Sequence, residues 1–216
     1  INMKSIIYNY ILFICGLALL SACSTTDKVP EGDQLYIGLT KIKYTNYEKN
    51  SHFNYTRDEL GAALACAPNG ALFGSSYYRT PFPYGLWVWN AFSKSEGPVG
   101  KWISKTFGKA PVLMSWVNPA LRVSVAQSAL KSHGYFNGSV NYKTIPMSNP
   151  KKAKIGYEVD MGHLYTIDSV AYEKFPEDAD SLLKRTLTDA VIHKGDAFDV
   201  STLDAERKRV SILFRN

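Results

Sequence analysis

The sequence predicts an α+β protein, built from one strand-helix-helix-strand-strand unit and most of a second. Apolar residues alternate near residues 35–44 and 140–159, which is typical of half-buried strands. Two segments between them carry the apolar spacing of amphipathic helices. The first strand and the last helix of this unit then recur later in the chain, which indicates a repeat.

The N-terminal segment has the order of an export signal. Lys4 precedes a nearly continuous apolar run that ends in Leu20-Ser21-Ala22-Cys23. The run is about 15 residues long, shorter than the roughly 20 residues of a membrane-spanning helix. The four closing residues resemble a bacterial lipoprotein box, which implies a signal peptide over residues 1–22 and a lipid (palmitate among its acyl chains) on Cys23. The alternative is an ordinary secretory signal with a chance cysteine.

Residues 23–34 are predicted to be a tether, because residues 24–33 are polar and carry Pro30 and Gly32. Without residues 1–22 the chain keeps 24 basic and 19 acidic residues, a modest positive balance without an arginine-rich block. This balance favours solubility or attraction to anionic lipid and gives no indication of nucleic-acid binding.

Cysteine and histidine are too sparse to predict a disulfide or a metal site. Cys66 has no partner once the signal is removed and Cys23 is acylated. The histidines show no ligand-like spacing; they are His52, His133, His163 and His193. We therefore expect no metal and no cofactor other than the covalent lipid.

The first predicted unit opens with a strand and a helix. Apolar alternation starts at Leu35 and slips by one position before Ile42 and Tyr44, which predicts a bulged strand. Thr56-Arg57-Asp58-Glu59 is the pattern of a capping box, so a short helix is expected to begin there.

Residues 75–110 differ from their surroundings, because large aromatic residues alternate with prolines and glycines. This composition predicts loops or broken helices, with a helix of one or two turns over residues 100–107. Core filling by the rings and packing between units are favoured over contacts with a polypeptide client or a membrane interface. The residues proposed for such contacts are Tyr77, Tyr78, Phe82, Tyr84, Trp87 and Trp89.

The unit closes with a helix and two strands. Asn118-Pro119 predicts a helix start, with Leu121 and Val125 among the residues of its buried face, and Gly134 predicts its end. Alternation over residues 140–144 and 153–159 then predicts the two strands.

A second unit begins at residue 162. Residues 165–172 repeat residues 37–44 at an offset of 128, and residues 201–216 resemble residues 118–133 at an offset of 83. The domains predicted are thus 35–161, with an insertion at about 75–110, and 162–216, which lacks its closing strands. We expect the sequence to be a fragment that ends inside this domain.

The order of these features resembles the POTRA domains of the BamA/TamA outer-membrane assembly superfamily, and in particular its translocation and assembly module lipoproteins. The residues that carry the resemblance are the lipobox, Val29-Pro30-Glu31-Gly32, Pro68-Asn69-Gly70, Trp87-Val88-Trp89-Asn90, Gly108-Lys109-Ala110-Pro111-Val112, His133-Gly134-Tyr135-Phe136, Lys194-Gly195-Asp196-Ala197-Phe198-Asp199 and residues 203–209.

The resemblance implies an outer-membrane lipoprotein whose POTRA units face the periplasm. It would bind nascent outer-membrane polypeptides, deliver them to a barrel that this sequence lacks, and work with a periplasm-spanning partner. An exposed sheet edge would serve this role by strand addition. The alternative is a free-standing outer-membrane lipoprotein that binds glycan or another ligand through its aromatic patch.

Catalytic motifs are weak. Ser128 and Lys131 have the Ser-x-x-Lys spacing of penicillin-recognising enzymes, but the companion motifs are missing and the pair lies inside a predicted amphipathic helix. The pairs Asp58-Glu59 and Glu177-Asp178 are expected in helix first turns, where they complement the helix dipole. We therefore predict that the protein is not an enzyme.

Overall fold

A computed structural model describes residues 25–173 and 175–215 of the chain. The predicted signal peptide, residues 1–22, and the predicted lipid site at Cys23 lie outside the described residues. The described chain is a mixed α+β structure with a small sheet in which two strand pairs are parallel. None of the helices within these residues has the length and apolar character that crossing a bilayer requires.

The elements occur in the order β1, β2, five helices, β3, β4 and two further helices within the described residues. The strands are β1 (Leu35–Leu39), β2 (Lys43–Thr45), β3 (Ser139–Pro146) and β4 (Lys152–Asp160). The helices are α1 (Ser51–Leu64), α2 (Tyr84–Phe92), α3 (Pro98–Phe107), α4 (Met114–Val117), α5 (Pro119–Ser132), α6 (Glu177–Arg185) and α7 (Val200–Leu213). The strand order is β1-β4-β2, and β3 also pairs with β4.

The chain divides into two compact units that interleave along the sequence. The first unit contains the segment ending at Lys41 together with Ala65–Pro119 and Lys143–Gly156. The second contains Ile42–Leu64, Ala120–Tyr142 and Tyr157–Asn216. This division does not coincide with the predicted boundary after residue 161, because it follows spatial contacts and not the repeat; the predicted domains stay a prediction.

In the first unit, β1 is buried along its whole length and pairs in parallel with the first half of β4. Its core cluster comprises Val29, Leu35, Ile37, Leu86 and Leu113. Val29 belongs to the stretch predicted as a tether, yet it is buried. Asp33 is also held, since its carboxylate accepts hydrogen bonds from both the backbone and the hydroxyl of Ser115. The folded part of the chain therefore begins earlier than composition predicts.

The buried side-chain amide of Asn69 positions residues 110–112 beside β1. The side chain of Asn69 donates to the carbonyl of Ala110 at 2.8 Å and accepts from the N–H of Val112 at 2.7 Å. The carbonyl of Val112 in turn accepts from the N–H of Tyr36 in β1 at 2.8 Å. The Pro68-Asn69-Gly70 motif thus positions residues 110–112 against the first strand.

In the second unit, β2 pairs in parallel with residues 158–160 of β4. The predicted bulge is therefore a break between two strands, β1 and β2, which both align with β4 and preserve the apolar phase on either side. Much of the buried core of this unit comes from α1, α5 and β4, and Val140 of β3 and Leu183 of α6 are buried as well. The buried residues of α1, α5 and β4 include Phe53, Leu60, Leu64, Ala126, Leu130 and Val159.

The predicted capping box is wrong. Helix α1 begins at Ser51, and the side chain of Asn50 accepts a hydrogen bond from the N–H of Phe53 at 2.7 Å. Thr56 lies inside the helix, where its buried hydroxyl donates to the carbonyl of His52. Asp58 and Glu59 are consequently in the middle of the helix, whereas Glu177 and Asp178 do lie in the first turn of α6 as expected.

The predicted end of α5 is confirmed. Gly134 adopts a positive φ of 81°, and the N–H of Tyr135 reaches back to the carbonyl of Leu130 at 2.9 Å. A Cβ at residue 134 would lie 2.7 Å from the carbonyl oxygen of Phe198, so only glycine fits. The predicted apolar face is wrong in part, because Leu121 and Val125 are exposed while Ala126 and Leu130 are buried.

Two further predictions concern the regions around α2 and residue 165. The broken-helix interpretation of residues 75–110 is confirmed by α2 and α3. Residues 165–173 were expected to form a strand, but they make only an isolated bridge between Thr166 and Ala197. Three backbone hydrogen bonds link them to residues 195–198, as in the bond from the N–H of Phe198 to the carbonyl of Tyr165, and the N–H of Tyr165 bonds to the carbonyl of Gly134.

We predict that Asn69→Ala lowers the free energy of unfolding of the first unit by about 2 kcal/mol, because it removes both partners of the Asn69 amide and leaves a backbone donor and acceptor unsatisfied. Chemical denaturation followed by circular dichroism measures this. The control is Asn149→Ala, whose exposed side chain also accepts a backbone hydrogen bond and should change stability by about 0.5 kcal/mol or less. Equal effects of the two variants would contradict the role assigned to Asn69.

Candidate functional site

Strand β3 is the most exposed strand of the sheet. Six of its eight residues are exposed, and it lies outside the β1-β4-β2 order with β4 as its strand partner. A strand with one neighbour directs half of its backbone groups away from that neighbour, where an added strand can pair with them. Strand β1 differs, because residues 76 and 112 accept hydrogen bonds from its backbone.

A glutamine side chain occupies the first position along the outer side of β3. Gln127 of α5 accepts a hydrogen bond from the N–H of Val140 at 3.0 Å and donates to the carbonyl of Gly138. A side-chain amide offers the same donor and acceptor as a peptide group, so Gln127 stands where a neighbouring strand would begin. Backbone groups two residues apart point to the same side of a strand. The next outward positions after Val140 are therefore Tyr142 and Thr144.

The aromatic residues predicted as contacts lie in the first unit and are largely outside its core. Tyr77, Tyr78, Phe82 and Tyr84 are between 44% and 71% exposed, while Trp87 and Trp89 are half-buried. Core filling, one part of the favoured expectation, is wrong for the four exposed rings, while packing between units stays a prediction. Leu86 supplies the core contact of this segment instead.

Helix α3 extends this exposed surface. Val99, Trp102 and Phe107 are 68%, 60% and 57% exposed. We use the name aromatic surface for Tyr77, Tyr78, Phe82, Tyr84, Val99, Trp102 and Phe107. The rings of Phe82, Tyr84 and Trp87 pack against one another with centroids 5.6 to 6.3 Å apart, and Trp102 contacts Phe107 at 5.8 Å. The indole N–H of Trp87 is buried and has no hydrogen-bond partner among the described residues.

A buried histidine joins three elements of the second unit. His133, directly after α5, is 4% exposed. Its Nδ1 lies 2.6 Å from a carboxylate oxygen of Asp199, and its Nε2 lies 2.8 Å from a carboxylate oxygen of Glu59 in α1. The backbone carbonyl of His133 also accepts a hydrogen bond from Nε2 of His52 at 2.8 Å. With both ring nitrogens facing carboxylates, the protonated imidazolium is the form that satisfies every contact.

The electrostatics of this cluster follow from its two carboxylates. Burial alone would lower the pKa of His133, but hydrogen bonds and charge interactions with Asp199 and Glu59 outweigh it and raise the pKa. Burial would raise the pKa of Asp199, but hydrogen bonds from Ser201 and His133 hold it below its ordinary value. Asp199 also caps α7 by accepting from the backbone of Ser201 and Thr202.

The cluster brings together residues whose sequence spacing gave no indication of a site. Ligand-type atoms of His52, His133 and Asp199 lie within 4.8 Å of one another. Sequence spacing could not predict this cluster, because the three residues come from different elements. Direct hydrogen bonds with two carboxylates satisfy both ring nitrogens of His133, so the geometry holds together as an ion-pair cluster. The prediction that the protein holds no metal stays a prediction.

The same contacts bear on catalysis. Ser201 donates its hydroxyl proton to Asp199 and not to His133, whose remaining nitrogen faces Glu59. Ser128 donates to the carbonyl of Ser124 one helical turn earlier, which is an ordinary helix contact. Neither Ser201 nor Ser128 is therefore held against a histidine or lysine that could act as its base. The prediction that the protein is not an enzyme stays a prediction.

A second ion-pair cluster anchors α7. The buried carboxylate of Glu206 pairs with Arg209 at 2.6 Å and accepts from the hydroxyl of Tyr172 at 2.6 Å and the N–H of Val191 at 2.8 Å. Hydrogen bonds from Arg209 are the main reason why the pKa of Glu206 is lowered to about 2. This cluster ties residues 172 and 191 to α7 and so supports the helix that Asp199 caps.

His133 and Asp199 lie in two of the motifs that carry the family resemblance, but the sequence predicted no role for either residue. The helix-start pattern at Asp199-Val200-Ser201-Thr202 was a usable signal, because aspartate is a preferred capping residue. Its pairing with His133, 66 positions away, carried no local signal.

Comparison with known proteins assigns no family. No protein-family model matches the chain, and no curated protein matches it. Among solved structures, the crystal structure of Haemophilus influenzae BamA POTRA3-5 aligns over 86% of this chain and 88% of that chain, at 13% identity and a TM-score of 0.29. A TM-score this low establishes neither a shared fold nor a function.

We predict that the second unit loses stability as the pH rises through the raised pKa of His133. A raised pKa stabilises the folded state fully below the ordinary histidine value of 6.5, while Asp199 contributes fully above its ordinary 3.8. The cluster therefore contributes most between about pH 4 and pH 6.5. Thermal unfolding measured from pH 5 to pH 9 tests this. His133→Asn should abolish the pH-dependent part, whereas His163→Asn, at an exposed position, should leave it unchanged; the same pH profile in all three proteins would refute the assignment.

We also predict that Glu206→Gln destabilises the second unit by about 3 kcal/mol, because it leaves the mostly buried guanidinium of Arg209 without its counter-charge. Denaturant titration gives the value. The matched control is Asp204→Asn on the same helix, which removes an exposed pair with Arg207 and should cost about 0.5 kcal/mol. A loss in Glu206→Gln no larger than in the control would show that the cluster contributes nothing.

Proposed function

We propose that this chain is a non-enzymatic scaffold that binds extended outer-membrane polypeptides by strand addition to β3. The observation that carries the proposal is the exposed edge of β3, whose outward positions continue past Gln127 at Tyr142 and Thr144. The resemblance of its motifs to POTRA-containing assembly lipoproteins supports it further. In this proposal the bound polypeptide is passed to an outer-membrane barrel, with a periplasm-spanning partner completing the machinery.

Strand addition suits clients that differ in sequence. Pairing uses backbone N–H and C=O groups, which every polypeptide offers, and side-chain pockets add selectivity only where they exist. The side chains of β3 around Tyr142 are exposed, so recognition by the backbone would dominate. Unfolded barrel proteins consist of short extended segments of alternating hydrophobicity, which is the form that an edge can accept.

The proposed location is the periplasmic side of the outer membrane, with lipidated Cys23 as the anchor. Ser24 after the cysteine, instead of aspartate, resembles lipoproteins that are sent to the outer membrane. The second candidate, a ligand-binding lipoprotein, would use exposed ring faces such as those of Tyr78 and Tyr84 to stack on glycan.

The test places a photo-crosslinking residue at position 142 or 144 and offers the protein a purified, urea-unfolded outer-membrane barrel polypeptide by rapid dilution. We expect crosslinks from both positions, and none from position 124, which is exposed on α5. Tyr142→Pro should lower capture about fivefold, because it removes one outward backbone donor. Gln127→Ala should raise capture, because it vacates the first position of the edge.

The contrary results are specific. Equal crosslinking from positions 124, 142 and 144 would refute strand addition to β3. An unfolded water-soluble polypeptide captured as well as the barrel polypeptide would refute a preference for outer-membrane clients. Circular dichroism confirms that each variant is folded before capture is compared. Glycan binding that Tyr78→Ala with Tyr84→Ala abolishes, in the absence of any β3 crosslink, would establish the ligand-binding candidate instead.

A further inference from the structure

Helix α3 is amphipathic, but its apolar side faces away from the protein. Trp102, Ile103 and Phe107 follow Val99 by three, four and eight positions, so these four residues lie along one side of the helix. Three of them are more than half exposed. The buried positions of the helix are instead the small residues Gly100 and Ser104. The side that usually packs into a core is the side that this unit leaves uncovered.

Tight packing on the small side fixes this orientation. A Cβ on Gly100 would lie 2.5 Å from Cβ of Ser95 and 3.7 Å from the ring of Phe92, so a larger residue would push α3 away from α2. The N–H of Lys109, just after α3, bonds to the carbonyl of Gly85 at 2.8 Å and closes the other end of the helix pair. Trp102 and Phe107 therefore cannot turn inward without separating the two helices.

Basic residues outnumber acidic residues in the sequence around this helix. Residues 65–119 contain five basic residues and a single acidic one, Glu96. Lys101 and Lys105 are exposed on α3, and Lys94 and Lys109 are exposed close to its two ends. Lysine is depleted in protein-protein interfaces, whereas tryptophan and phenylalanine flanked by lysine are typical of helices that lie on a membrane surface.

We propose that α3 docks the first unit onto the surface of an anionic phospholipid bilayer. Trp102, Phe107 and Val99 would enter the region between headgroups and acyl chains, while Lys101 and Lys105 would reach the phosphates along their flexible stems. The docking is a property of the first unit and is independent of strand addition to β3. It would add a second membrane contact to the lipid predicted on Cys23, and this contact would bring the surface of the first unit itself against the bilayer.

The position of the predicted lipid is compatible with this contact. Val29 is already part of the core of the first unit. It lies only six positions after Cys23, a span of at most roughly 20 Å. A lipid on Cys23 would thus hold the unit close to the bilayer and raise the effective concentration of α3 at its surface.

The test measures binding of the chain from residue 23 onward, with Cys23→Ser so that no acyl chain contributes. The probes are vesicles of phosphatidylethanolamine with one quarter phosphatidylglycerol, and neutral phosphatidylcholine vesicles. We expect flotation with the anionic vesicles, weaker binding to the neutral ones, and loss of binding in high salt. Quenching of Trp102 fluorescence by brominated acyl chains, absent in Trp102→Ala, would locate the helix at the acyl boundary.

Matched variants distinguish vesicle binding through α3 from nonspecific binding by other exposed residues. Lys101→Gln with Lys105→Gln should weaken binding to anionic vesicles about thirtyfold, and Trp102→Ala with Phe107→Ala should weaken binding to both vesicle types. Trp116→Ala and Lys49→Gln, exposed residues outside α3, should have no effect. Thermal unfolding checks that the variants remain folded.

Three results would overturn the proposal. The first is an absence of binding to either vesicle, and the second is equal binding by the α3 variants and the controls. The third is dimerisation in solution that Trp102→Ala with Phe107→Ala abolishes while vesicle binding is unchanged, because a second copy of the chain would then be what covers α3.

Discussion

Each strand that pairs with β4 must satisfy the backbone groups on its other side, and the three strands do so in different ways. Residues 76 and 112 accept hydrogen bonds from the backbone of β1, and Asn69 positions the second of these contacts. Strand β2 is only three residues long, so it exposes little edge. Strand β3 is long and receives one side-chain amide, that of Gln127. The unequal protection of these edges is what singles out β3 as a binding surface.

Sequence patterns predicted the positions of helices and strands better than they predicted which face of a helix is buried. Period-two alternation located β3 and β4, and the Gly134 stop located the end of α5, because these signals act over a few residues. The outward side of α3 and the exposure of Leu121 and Val125 depend on what packs against each helix, which periodicity does not contain. The capping box failed for a related reason, since Asn50 offered an equally good cap six residues earlier.

The candidate sites were less accessible to sequence reasoning than the fold. Gln127 and Val140 lie on different elements, and His133 meets Glu59 and Asp199 at separations of 74 and 66 residues. No local spacing rule covers such separations. The aromatic residues of residues 75–110 were visible in the sequence, but their composition suited a core as well as a surface. The exposure of Trp102 and Phe107 follows from the small residues of α3, which bring the helix pair together without using these rings.

Asp199 illustrates how one residue can be constrained from two directions. Capping α7 requires an oxygen acceptor in front of Ser201, and serine, threonine or asparagine would serve as well as aspartate. Pairing with a protonated His133 requires a negative charge, which those residues lack. Glu59 cannot substitute for it, because its side chain is half exposed and its interaction with His133 is screened by water. Only aspartate satisfies both conditions, so the start of α7 and the end of α5 are held by the same carboxylate.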